Sequence, residues 1–318
     1  MKKSILIIAS IFLIVAFLPS VLAHPISSAS DFISFEDGTY SIEIPDGQID
    51  KFFHWNANYP KLISAHRGGF TTGFPENAIA TFENTLTTAP ALLEVDVRRT
   101  ADGSWILMHD EDLSRTTNGK GIVKQTNLAT IKTFLLKDNQ GNLTPYHVPN
   151  LEETLLWANG RTILELDLKS DDYTDEVVEI ISQLDAGDRV RFITDNIEQA
   201  TKIYNLNPEI HLGISISADN LNAVLAEVAA APFTLRKISV FTGTQPQSAD
   251  FYQKLHARGL VTIQGVFGEQ NLFENTSIDE LNEKQRKTLF DSVFDRGGDV
   301  IASDYYQQIA DIIVSDNR

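Results

Sequence analysis

Lys61-Leu-Ile-Ser-Ala-His-Arg-Gly-Gly-Phe70 opens a segment that decides the fold. It continues through Pro75-Glu76-Asn77 and Leu93-Glu94-Val95-Asp96-Val97. It ends with Ala101-Asp-Gly-Ser-Trp-Ile-Leu-Met-His109-Asp110 and Arg115-Thr116-Thr117. Each short apolar run delivers polar or ionisable residues at or near one end, the way a rigid scaffold presents a reacting site.

Outward from this segment, the chain alternates short β-type runs with amphipathic stretches. Candidate strands are Leu62–Ala65, Leu92–Val97, Thr162–Leu168, Val190–Thr194, His211–Ile216, Arg236–Phe241, Leu260–Val266 and Asp299–Ala302. Helical spacing marks Ala78–Ala89, Thr174–Leu184, Ile197–Tyr204, Leu221–Val228, Pro246–Arg258 and Ile278–Arg296. Strand–helix alternation implies βα units on a parallel sheet, and eight units predict an α/β (β/α)8 TIM barrel. An open doubly wound sheet is the alternative, but the chain has no G-x-G-x-x-G loop to support it. The rhythm breaks between Asp110 and Pro149, where Asn118-Gly119-Lys120-Gly121 and Asp138-Asn139-Gln140-Gly141-Asn142 are turn-rich. A strand over Trp105–Met108, joined to Val97–Thr100 by the Asp102-Gly103 turn, precedes it. We read residues 110–150 as an insertion over one barrel end, 61–318 as the barrel, and 24–60 as an N-terminal extension. The Phe52-Phe53-His54-Trp55 cluster reads as a packing patch.

Residues 1–23 form a separate object. Lys2 and Lys3 precede an apolar run, Ile5 to Leu18, and then Pro19-Ser20-Val21-Leu22-Ala23. This is the pattern of a signal peptide cleaved before His24, which implies an exported protein, periplasmic or extracellular. The 318 residues contain no Cys, so stability must come from the core. The net charge of -17 becomes -19 without Lys2 and Lys3. That acidity disfavours nucleic acid and anionic membranes as partners.

Period two places Glu94 and Asp96 on one face of a buried strand, where their charges repel and are costly to desolvate. A hard divalent cation, Ca²⁺ or Mg²⁺, resolves both problems; neutralisation by Arg98 or Arg99 is the plainer alternative. Glu165, Asp167 and Lys169 share a face in the same way, suited to completing a metal shell or to an internal ion pair. In His66-Arg67-Gly68-Gly69, glycines let backbone N–H groups approach an anion, Arg67 offers a fork for phosphate, and His66 exchanges protons near neutral pH. His109 ends a strand beside Asp110, which can orient its ring. Two histidines, two cations facing an anion and a carboxylate cluster describe phosphodiester cleavage.

H-R-G, P-E-N, E-x-D, D-G-x-x-x-x-x-H-D and R-T-T-x-G-x-G, in this order between Leu62 and Val123, resemble the glycerophosphodiester phosphodiesterase family. Weaker echoes lie at Val148–Glu153, Asp167-Leu168-Lys169 and Gly298–Asp304. The resemblance implies a barrel with a small insertion after its second strand. It also implies metal-dependent hydrolysis of glycerophosphodiesters to glycerol 3-phosphate and an alcohol. Carried over, His66 and His109 are acid and base, Arg67 and Lys169 contact phosphate, and Glu94, Asp96 and Asp167 bind the metal, with Glu165 as fallback ligand. The sequence departs at Ala78, where the family has Thr, and in lacking a Trp within Val261–Phe267. A lipid-headgroup or lysophospholipid phosphodiesterase is the nearest alternative, with Phe70, Phe74, Phe267 and Phe273 as its apolar rim. A glycoside hydrolase using Glu94 and Glu165, and a non-catalytic binding protein, are more distant ones.

Overall fold

A computed structural model describes residues 28–316, apart from 171–172, 246, 269–271 and 274–275. The proposed signal segment, Pro246 and the side chain of Phe273 lie outside the described residues. Eight parallel strands form the barrel: β1 Leu62–Ala65, β2 Ala91–Arg99, β3 Leu164–Leu168, β4 Val190–Thr194, β5 His211–Ser215, β6 Ile238–Phe241, β7 Thr262–Val266 and β8 Val300–Ser303. Each pairs with the next, and β8 returns to β1, so the sheet closes. All eight expected strands form, two of them with the expected ends and the rest with ends shifted by at most two residues. Their near-continuous burial is what a parallel sheet covered on both faces requires.

A helix follows every strand: α1 Ile79–Leu86, α2 Leu151–Ala158, α3 Thr174–Gln183, α4 Ile197–Leu206, α5 Leu221–Ala230, α6 Ala249–His256, α7 Glu283–Asp295 and α8 Tyr306–Asp316. The sequence reading lacked α2 and α8. It also joined Ile278 to α7, whereas Asn282 and Gln285 form a capping box that starts α7 afresh at Glu283. The antiparallel strand Trp105–Leu107 folds back on β2 through the expected turn. The insertion adds a short hairpin, Leu135–Lys137 with Leu143–His147, over its own small core of Ile106, Met108, Leu113, Val123 and Val148.

The N-terminal segment closes the barrel floor. Phe32, Ile42, Ile49, Phe52 and Phe53 pack against Leu62, Leu92, Ile163, Val261 and Val300, which lie at the strand starts. Each fully buried Phe contributes about 1.5–3 kcal/mol. Trp55 stacks on His256 at 4.0 Å, so the aromatic cluster is the expected packing patch.

Inside the barrel, a polar layer replaces part of the usual aliphatic filling. Arg191 donates to Glu165 (2.8 Å) and to Ser239 Oγ (2.6 Å), and Ser64 Oγ also donates to Glu165. Gly213 leaves room for this, since a Cβ there would lie 2.4 Å from Arg191 Nη2. Among the described residues no helix is long and apolar enough to cross a membrane.

Candidate active site

The C-terminal ends of β1, β2, β3 and β8 meet at the barrel mouth, where parallel barrels carry their chemistry. The β2–β3 register sets Glu94 beside Glu165 and Asp96 beside Asp167. Glu94, Asp96 and Asp167 each offer an oxygen, and these atoms lie within 4.8 Å of one another. Burial, then the charges of Asp96 and Asp167, push the Glu94 carboxyl up. Burial opposes ionisation of Asp96 too, but Lys169 outweighs it and holds this carboxyl low. Lys169 Nζ sits 2.7 Å from Asp96 Oδ1 and 2.5 Å from Asp167 Oδ2. Asp96 Oδ1 nevertheless makes no hydrogen bond of good geometry. Three hard oxygen donors, one of them incompletely satisfied, fit a divalent cation of the Ca²⁺ or Mg²⁺ type.

The turn after β1 is bent to reach this cluster. Arg67 has φ +50°, followed by Gly68 at +82° and Gly69 at +86°. A Cβ at Gly68 would strike Phe82 at 2.1 Å, so α1 packs too closely for any side chain there. The bend points Arg67 N–H at Glu94 Oε2 (2.7 Å) and sets Arg67 Nε 3.7 Å from Asp96 Oδ2. Asn77, also left-handed at φ +57°, clasps Asp96: Nδ2 donates to Oδ2 (2.7 Å) and Oδ1 accepts from its N–H (3.0 Å). Such strain at a site is held by the surrounding structure.

Each histidine is oriented by an aspartate. His66 Nδ1 lies 2.6 Å from Asp304 Oδ1, and its Nε2 4.0 Å from Glu94. Burial lowers the His66 pKa, but Asp304 and Glu94 more than reverse this, so the net shift is upward. His109 Nδ1 lies 2.8 Å from Asp110 Oδ1, as expected. Asp110 is held well below the usual carboxylate range, chiefly by its hydrogen bond from Arg115. Arg115 also forks onto Glu76 with two contacts of 2.8 Å, and Glu76 accepts from Arg67 at 3.1 Å. An unbroken chain of hydrogen bonds and ion pairs therefore links His109 to Arg67.

The seven expected site residues converge, with two corrections. Glu165, the fallback ligand, is outside the carboxylate cluster; Arg191 neutralises it and Ser64 hydrogen-bonds it deeper in the barrel. The same engagement removes the free carboxylate that a Glu94–Glu165 glycosidase pair would need. Asp304 was not among the expected site residues. Its signal was an acid directly after an apolar strand, the rule that marked His66 and His109. Of the rim candidates, Phe267 lies against His66 (4.7 Å), whereas Phe74 stacks on Tyr146 within the insertion. A cavity of about 230 Å³ opens beside the carboxylates, lined by His66, Glu94, Asp167, Arg191, Ser215 and Phe267 among others.

Residues 66–264 match the glycerophosphoryl diester phosphodiesterase family. The chain belongs to this family. It is therefore a phosphoric diester hydrolase by class. It is 31% identical over 177 residues to the uncharacterized protein YqiK of Bacillus subtilis, spanning 54% of this chain and 72% of that one. It is 32% identical over 163 residues to a glycerophosphodiester phosphodiesterase of Bacillus altitudinis, spanning 48% of this chain and 65% of that one. A crystal structure of a glycerophosphoryl diester phosphodiesterase from Parabacteroides distasonis superposes with a TM-score of 0.78 at 29% identity, covering 87% of this chain and 94% of that one.

Proposed function

We propose that the protein hydrolyses glycerophosphodiesters to glycerol 3-phosphate and an alcohol, with His66 and His109 as the proton-transfer pair. The observation that carries this is the convergence of both histidines, each with Nδ1 held by an aspartate, on one carboxylate cluster flanked by Arg67 and Lys169. Fixing Nδ1 leaves each Nε2 for the reacting oxygens. One histidine takes the proton of the attacking water, or of a substrate hydroxyl whose cyclic phosphate water then opens to glycerol 3-phosphate, as the new P–O bond forms. The other gives a proton to the alkoxide as the old P–O bond breaks. Arg67 and Lys169 face the phosphate oxygens and offset the charge that builds there. Glu94, Asp96 and Asp167 would hold a divalent cation, which supplies further charge stabilisation when bound.

The test takes the chain from His24, strips it of metal, adds glycerophosphocholine and follows glycerol 3-phosphate with and without Ca²⁺ or Mg²⁺. Release restored by either cation supports the reading; binding without release under all conditions overturns it. We further propose export through cleavage before His24. N-terminal sequencing of the protein from the cell envelope or medium checks this, and an intact Met1 there would refute it.

A further inference from the structure

Arg115 does not line the cavity beside the carboxylates. Its guanidinium nonetheless meets two carboxylates at once. Nη1 and Nη2 fork onto Glu76 at 2.8 Å each, while Nε and Nη2 fork onto Asp110 at 2.5 and 3.0 Å. All three nitrogens are engaged, which a planar fork can do and a point charge cannot. The two carboxylates lead to different reacting groups. Asp110 Oδ1 holds His109 Nδ1, and Glu76 holds Arg67 Nη1. The Glu76 side chain is only 10% exposed and sits between the two guanidinium groups, so a displacement of Arg115 passes through it to Arg67.

The partners come from separate pieces of chain. Glu76 lies between β1 and α1, whereas Asp110 and Arg115 belong to the insertion. The insertion hairpin fixes Arg115 on both flanks: Lys137 Nζ donates to the Ser114 carbonyl (2.7 Å), and the Lys137 N–H donates to the Thr116 carbonyl (2.8 Å). A further ion pair, Lys132 with Glu153 on α2, also ties the insertion to the barrel, but it leads to no reacting group. We propose that Arg115 is a positioning residue for the phosphodiesterase reaction. It locks the insertion to the β1–α1 loop and thereby sets the spacing between His109, which moves a proton, and Arg67, which holds the phosphate. This rests on the function proposed above and deepens it, because the insertion becomes part of the reacting machinery.

The experiment measures kcat of the full mature protein on glycerophosphocholine, with Ca²⁺ or Mg²⁺ supplied, for the wild type, Arg115→Ala, Arg115→Lys and Lys132→Ala. Misplacing the two reacting groups should lower kcat about 10²-fold in Arg115→Ala. Arg115→Lys should stay within about threefold of Arg115→Ala, since an ammonium cannot fork onto two carboxylates. Lys132→Ala should keep the wild-type kcat. The Arg115 side chain is 49% exposed and borders a cavity of about 340 Å³, so a small cation can enter its place. Methylguanidinium should therefore recover about tenfold of the loss in Arg115→Ala, and methylammonium, equal in charge, should recover none. Wild-type kcat in either Arg115 variant, an equal loss in Lys132→Ala, or equal effects of the two added cations overturns the assignment and leaves the phosphodiesterase reading standing. Loss of cooperative unfolding in both Arg115 variants overturns it too, by making Arg115 a structural anchor. No turnover by the wild type sinks that reading, and the assignment with it.

Discussion

Asp299 at the barrel floor and Asp96 at its mouth are both buried carboxylates, yet their surroundings are opposite. Asp299 accepts from Trp55 Nε1 (3.0 Å), Thr262 N (2.8 Å) and Thr262 Oγ1 (2.7 Å), and meets His256 Nε2 at 3.0 Å. Among the described residues no second carboxylate forms a cluster with it. Asp96 has Asn77 and Lys169, but shares its space with Glu94 and Asp167. The floor is locally consistent and serves stability. The mouth keeps like charges together and left-handed backbone at Arg67 and Asn77, a conflict with local preference that marks function.

The largest effect expected of this division is on turnover. His66→Ala and His109→Ala should each lower kcat by about 10³-fold, at the scale of lost proton transfer. Near wild-type rates in both variants would remove the proposed mechanism. Exchanging the ends is the next test. Asp299→Ala leaves Trp55, His256 and two Thr262 donors without their acceptor, and should cost about 3 kcal/mol in denaturant unfolding. Glu94→Gln relieves a repulsion, since burial and the charges of Asp96 and Asp167 push that carboxyl up, so the metal-free protein should be no less stable while turnover collapses. If Glu94→Gln unfolds the protein as readily as Asp299→Ala, the contrast between the ends is wrong.

The cation distinguishes the ends once more. Ca²⁺ or Mg²⁺ at a hundredfold excess over its dissociation constant should stabilise the metal-free protein by about 2.7 kcal/mol. Glu94→Gln or Asp167→Asn should lose most of this shift. An equal shift in those variants would mean that the ion binds elsewhere.

How far the two ends were legible in the sequence follows from the same contrast. The eight strands were readable because each is a short apolar run between turn signals. Glu94 and Asp96 were readable because ionisable residues interrupt such a run at period two. Helix α2 was missed although Asn150 caps it and forms a capping box with Glu153 in its first turn; the turn-rich insertion just upstream masked it. The roles of Glu76 and Arg115 were not readable, because their ion-pair chain to Asp110 exists only after the insertion folds over β1. The polar layer around Arg191 was equally hidden. Its partners Ser64, Glu165 and Ser239 lie on three other strands, so only barrel closure reveals it.

The smallest of these effects concerns acid, and it belongs to the floor. His211 is fully buried, stacks on Phe53 at 4.2 Å and places Nδ1 3.0 Å from Asp50, which also pairs with Lys237 at 2.7 Å. Burial pulls the His211 pKa down to about 4; Asp50 opposes this, while Lys237 and Arg191 reinforce it. A pKa lower in the folded state than in the unfolded one means that the neutral ring is the stable form. Its contribution is complete above the unfolded value near 6.5 and is lost as pH falls toward 4. Between pH 7 and pH 5 this amounts to about 2 kcal/mol for one such group. Denaturant unfolding of the wild type and His211→Gln at both values isolates it, since every other titrating group is shared. The variant should start less stable at pH 7 but lose about 2 kcal/mol less on acidification. Equal acid losses in the two proteins would show that the ring titrates normally, and that the N-terminal segment does not seal the floor around His211 as tightly as its contacts imply.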